Sequence, residues 1–288
     1  MFAKRLFSSI VLWALLLSVI FYLPNSAPGQ FASALVCCFV VMISLGEFYD
    51  MMKQAELRCL KIWGTAAGLL MVGGVWYFCV ARREFTATFE VLFLTGLVVA
   101  LFLQQIAERD NMSGAQTIGR TLLGILYIPL MFDFFPKIIF LYPEATIGRL
   151  FVFYLVVVTK FCDIGAYASG RVFGRHKMIP RISPNKTWEG FWGGLVVATV
   201  ASVMAYQYLH DRIAGVGFGF ADAIAVGLLL GAVGVLGDLA ESMIKREMKV
   251  KDSGGVLPGI GGALDLIDSL LFTAPVMYGY LALMTKLR

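Results

Sequence analysis

Nine stretches of mostly apolar residues, at approximately 7–24, 31–49, 62–81, 88–107, 121–142, 149–170, 190–209, 220–244 and 264–284, dominate the sequence. Crossing the hydrocarbon core takes about 20 such residues, coiled so that every backbone N–H and C=O is satisfied within the segment. A chain built this way is expected to be all-α, a polytopic integral membrane protein with about nine transmembrane helices. The composition excludes the alternatives. Apolar residues make up 59% and charged residues 15% of the chain, against roughly 45–50% and about 25% in a soluble domain. Disorder, collagen and a disulfide scaffold are excluded by the same numbers. Cys37, Cys38, Cys59, Cys79 and Cys162 are odd in number and lack a C-x-x-C spacing, so they read as reduced, membrane-buried small hydrophobes. The first stretch is long for a signal-peptide core and is followed by further spans, so a retained helix is expected there.

Net charge is +5, and its distribution is informative. With the N-terminus placed in the cytoplasm, sixteen lysines and arginines fall on inside segments and six on outside segments, while Lys137 and Lys160 lie within spans. That bias predicts N-terminus inside and C-terminus outside. It accounts for the basic balance without nucleic acid, which is not expected as a partner. Nine of the sixteen inside cations sit in the loops after spans six and eight. Residues 1–145, spans one to five, therefore read as a transmembrane scaffold, and 146–288, spans six to nine with two basic cytoplasmic loops, as the catalytic region. No repeat or linker divides them, so one integrated membrane domain is expected.

The first constellation runs from 160 to 190, KFCDIGAYASGRVFGRHKMIPRISPNKTWEG. Lys160 and Asp163 are three apart near a membrane-helix end, where an ionisable group is costly and is a functional candidate. Arg171, Arg175 and Lys177 follow, and arginine forks suit phosphate oxygens. Within SPNKTWEG, Ser183 and Thr187 offer hydroxyls and Lys186 a point cation. By itself such a loop is more often a topology determinant or a lipid-surface patch than a catalytic site. The second constellation covers 237–269. On a helix Asp238, Glu241, Ser242 and Lys245 share one face, and Asp265 and Asp268 are i and i+3 at the start of span nine. Between them lie Arg246, Lys249, Lys251 and a glycine-rich run at 254–262 that is no Walker loop. Carboxylates on two helices beside two basic loops are what a metal-assisted phosphate site needs: oxygen ligands for Mg²⁺ and cations for the phosphate charge.

These residues resemble the phosphatidate cytidylyltransferases, or CDP-diacylglycerol synthases. Their signature is S-x-x-K-R, four residues, K-D, then a glycine-rich stretch ending in D-R-x-D. Ser242, Lys245, Arg246, Lys251, Asp252, Pro258, Gly261, Gly262, Asp265 and Asp268 fall in place. The family's D-x-x-A-Y-x-x-G-R-x-F-G and S-P-x-K-T-W-E-G segments follow its order at 163–174 and 183–190. Ile260 and Leu266 stand where the family usually has His and Arg. The resemblance implies transfer of CMP from CTP to phosphatidic acid, with release of pyrophosphate. It implies Asp238, Asp265, Lys245 and Lys186 as catalytic residues, and Ser183, Arg171, Ser242, Arg246 and Lys251 as substrate-binding ones. Asp238, Asp265 and Asp268 would hold Mg²⁺, with room for a second metal ion. It further implies a bacterial cytoplasmic membrane, a site facing the cytoplasm and an architecture that admits a homodimer. The competing readings are a CTP-dependent polyprenol or other lipid kinase, which would release CDP, and a secondary transporter. CDP-alcohol phosphotransferase is set aside because its D-G-x-x-A-R core is absent.

Overall fold

In a computed structural model, residues 27–81, 86–108, 113–254 and 261–287 are described. Among them eight spans are long and apolar enough to cross a membrane, and the chain is an all-α polytopic membrane protein. The predicted first span, 7–24, lies outside the described residues. Two compact units emerge, one formed by the chain up to Pro136 with Met248–Leu266, the other by Lys137–Glu247 with Ile267–Arg288.

The first unit contains α1 (Ala27–Gln54), α2 (Lys61–Ala81) and α3 (Thr86–Ala107). The predicted span 121–142 is a broken rod: α4 (Gly114–Tyr127), α5 (Pro129–Phe132) and α6 (Phe134–Ile139), the last running into the second unit. Pro129 has no N–H to donate to a carbonyl one turn back, so the helix stops and restarts with proline in its first turn. Met71, Leu101 and Ile125 from α2, α3 and α4 are sealed in the core. Fully buried Tyr49 donates its hydroxyl to the Thr121 carbonyl at 2.8 Å, the partner a buried phenol requires. A Cβ at Gly64 or Gly124 would collide with its ring.

The second unit contains α7 (Ala145–Phe173), β1 (Lys177–Ile179), β2 (Ser183–Thr187), α8 (Trp188–Ile213) and α9 (Phe220–Glu247). It also takes in α10 (Leu264–Leu287) from Ile267 onward. The basic loop after span six thus folds as an antiparallel hairpin, with Lys177 opposite Thr187 and Ile179 opposite Ser183. Thr187 ends the hairpin and caps α8, its Oγ1 accepting the Gly190 N–H at 3.1 Å. Small residues set the helix spacing: added Cβ atoms at Gly165, Gly227 and Gly231 would press on Val197, Thr199 and Leu195. All five cysteines are free thiols, and Cys37, Cys79 and Cys162 are buried.

Candidate active site

The last two turns of α9 carry most of the chemistry. Asp238, Glu241, Ser242 and Lys245 share the face that their spacing predicts. Lys245 Nζ pairs with Glu241 Oε2 at 2.7 Å, and Ser242 Oγ donates to Asp238 Oδ1 at 3.3 Å. From β2, Lys186 Nζ reaches Asp238 Oδ2 at 2.7 Å and the Val235 carbonyl at 3.4 Å. Arg246 Nε donates to the Ile182 carbonyl at 3.2 Å, tying the hairpin to the end of α9.

Gly237 lets α10 come close: a Cβ there would lie 2.8 Å from the Asp268 carbonyl oxygen and 3.0 Å from the Ser269 Cα. That approach brings Asp268 to the same place. Asp238, Glu241 and Asp268 each offer a carboxylate oxygen, and these atoms all lie within 4.8 Å of one another. Glu241 is 1% and Asp268 6% exposed. Like charges held together away from water repel strongly, and cations among them, or a proton taken up by one of the acids, relieve the repulsion. Lys186 and Lys245 supply two positive charges, and the hard oxygen donors suit a small divalent ion such as Mg²⁺. The donor set therefore fits that metal. On α7, Lys160 Nζ bonds Asp163 Oδ2 and Ser269 Oγ, both at 3.3 Å.

A cavity of about 480 Å³ opens beside these groups, walled by Asp163, Tyr167 and Arg171 of α7, Asn185 and Lys186 of β2, and Asp238. Arg171 is exposed and donates to the Tyr167 hydroxyl at 3.3 Å. The start of the hairpin is tied to α8 by Glu189, which pairs with His176 Nδ1 at 2.6 Å and accepts the Arg175 N–H at 3.1 Å. A wall on which Arg171 and Lys186 stand beside Asp163 and Asp238, a carboxylate cluster next to it and a volume of this size can receive a phosphate group together with a cation that neutralises it.

Of the residues expected from sequence, Lys186, Asp238, Ser242, Lys245 and Asp268 come together, with Arg171 on the cavity wall. Ser183 stands on β2 outside the residues that wall the cavity. Lys251, which is exposed, and Asp265 belong to the other unit. There Asp265 Oδ2 accepts the N–H groups of Gly262 at 2.8 Å and Ser253 at 3.3 Å, the backward reach of a capping box. Gly261 beside it has φ +120°, a conformation glycine adopts without strain. Sequence reasoning placed Glu241 on the right face but gave it no ligand role, although its i+3 spacing from Asp238 was a signal. Ser269 carries no signal of its own, since small hydroxyls are common in spans, and Tyr167 is a fixed position of the 163–174 segment to which no role was attached.

A sequence profile described as the cytidylyltransferase family matches residues 3–284. The chain is 34% identical to the phosphatidate cytidylyltransferase of Bacillus subtilis strain 168 over 251 residues, which is 85% of this chain and 88% of that protein. The phosphatidate cytidylyltransferase of Mycobacterium leprae strain TN is 34% identical over 257 residues, 86% of this chain and 79% of the relative. That of Staphylococcus epidermidis is 29% identical over 266 residues, covering 91% and 94%.

Proposed function

The chain belongs to the cytidylyltransferase family and is a nucleotidyltransferase, and from that premise we propose that it transfers CMP from CTP to phosphatidic acid, giving CDP-diacylglycerol and pyrophosphate. One observation carries the reading: Asp238 belongs both to the wall of the cavity and to the carboxylate cluster. Space for a phosphate and a donor set that suits a divalent ion would thus share a side chain.

The attacking atom is an oxygen of the phosphatidate phosphate. It is ionised at neutral pH, so no strong general base is required. It forms a new bond to the α-phosphorus of CTP as the bond to the bridging oxygen breaks, and the electron pair leaves with pyrophosphate. Lys186 and Lys245 lend positive charge to the phosphates as that charge shifts. Arg171, exposed at the cavity edge with two forked donors, receives the lipid headgroup. Ser242 orients Asp238, Ser183 offers a hydroxyl to phosphate, and Arg246 adds charge for the leaving group. Asp238, Glu241 and Asp268 would hold Mg²⁺, which when bound supplies Lewis-acid stabilisation to phosphate oxygens. In this reading Asp265, expected from sequence at the metal, orders the chain around Ser253 and Gly262, whose backbone N–H groups its carboxylate accepts. In this reading the site faces the cytoplasm from the cytoplasmic membrane, and the cation bias supports that sidedness.

The test is release of pyrophosphate from CTP by the purified full-length protein, with and without phosphatidic acid, in Mg²⁺ and in EDTA. Pyrophosphate is expected only when lipid and metal are both present. CDP in its place would establish a lipid kinase, and no turnover in several lipid mixtures would leave transport as the surviving alternative.

A further inference from the structure

We propose that Glu47 is a positioning residue for this reaction, a carboxylate on α1 that fixes the start of α10 and with it the register of Asp265 and Asp268. The proposal rests on the cytidylyltransferase reading for its catalytic consequence, though not for its geometry. Glu47 is 7% exposed and lies inside a candidate span, where an acid is costly unless something holds it. Its Oε1 accepts the Ala263 N–H at 3.0 Å, and its Oε2 accepts the Leu264 N–H at 3.0 Å and the Ser253 hydroxyl at 3.4 Å. Those amides belong to the beginning of α10, where N–H groups lack partners within the helix and the helix dipole favours negative charge.

The glycines at the two ends of the 254–262 run serve this contact. A Cβ on Gly254 or Gly262 would collide with the Glu47 carboxylate, and on Gly262 also with Ser253 Oγ. Asp265 takes the Ser253 and Gly262 N–H groups from the other side. Two carboxylates thus hold one short segment, Glu47 from a helix more than 200 residues earlier in the chain and Asp265 from the helix that the segment begins. Asp268 follows one turn along the same helix, so a shifted start displaces both aspartates.

Glutamine in place of Glu47 has one acceptor oxygen, and its NH₂ would face a second N–H donor. The experiment measures amide hydrogen exchange and steady-state kinetics of the full-length protein in lipid nanodiscs, comparing the native chain with E47Q and E47D. In E47Q the amides of 262–264 should exchange faster, and kcat should fall on the order of 10²-fold through misplacement of reacting groups, with KM for CTP little changed. E47D, which keeps the charge on a shorter stem, should retain more activity than E47Q. If the role were packing alone, the isosteric E47Q would be the better tolerated. Native exchange at 262–264 in E47Q, or E47Q matching or exceeding E47D in rate, would overturn the proposal. Should neither variant fold, Ala263→Pro deletes one donor at a helix start that tolerates proline; undiminished turnover there would also overturn it. A native chain that makes no CDP-diacylglycerol would refute the enzymatic reading while the exchange data still decide the clamp.

Discussion

Asp238 is the residue on which the cavity and the carboxylate cluster depend together, because it pairs with Lys186, accepts from Ser242 and faces Glu241 and Asp268. Asp238→Asn removes one charge from both. Loss of a preorganised charge at a developing centre costs on the order of 10²–10³ in kcat, so turnover should collapse while membrane insertion is unaffected. Near-normal turnover of Asp238→Asn at limiting Mg²⁺ would remove it from the metal site. A Mg²⁺ titration of the rate separates the other acids. Glu241→Gln should raise the concentration needed for half-maximal activity. Asp265→Asn should lower kcat with that concentration unchanged, and an upward shift equal to that of Glu241→Gln would return Asp265 to the metal. Asp238, Lys186, Lys245 and Asp268 were legible because charged side chains stand out against apolar spans and fall in a motif. Glu47 was not, since its partners lie at 253–264, and the sequence offered only an acid within the stretch 31–49.

At the scale of helices and hairpins, the joint between α9 and α10 is set by Gly237, which faces backbone and not a flexible side chain. Gly237→Ala must move one helix by a few tenths of an ångström or more. Overpacking of this kind costs about 1–3 kcal/mol, and at this joint it also shifts Asp268 against Asp238 and Glu241. The expected result is a lowered melting temperature with activity lost out of proportion to the unfolded fraction. Gly279→Ala on α10, where a Cβ meets open space, should leave both unchanged. If Gly237→Ala keeps full activity, the close approach of these helices is not needed for the site. Hydropathy located the described spans within about five residues, apart from the start of the one expected at 121–142, which begins at Gly114, because burial in lipid demands long apolar runs. It did not show the break at Pro129, since an average over apolar residues is blind to one missing N–H. Nor did it show the 177–187 hairpin, whose short polar strands lack the alternation that marks a half-buried sheet.

For the whole molecule the strongest sequence inference is sidedness, because sixteen cations against six is a bias that insertion itself reads. On the topology proposed from it, the 177–187 hairpin and the loop after α9 would lie on the cytoplasmic side, where soluble CTP is available, and the end of α8 on the opposite side. Single cysteines introduced at Lys177, Lys249 and Arg212 test this in a chain whose five native cysteines are replaced. Three of those are buried, and burial pushes the Cys59 thiol up from its ordinary value. A native cysteine left in place therefore contributes little thiolate, the species that reacts. A membrane-impermeant maleimide applied to intact cells should label position 212 alone, and positions 177 and 249 only after permeabilisation. Labelling of 177 or 249 in intact cells would invert the topology. The cavity beside Asp238 would then open away from the cytoplasmic nucleotide, and the cytidylyl-transfer reading would lose the supply of substrate on which it depends.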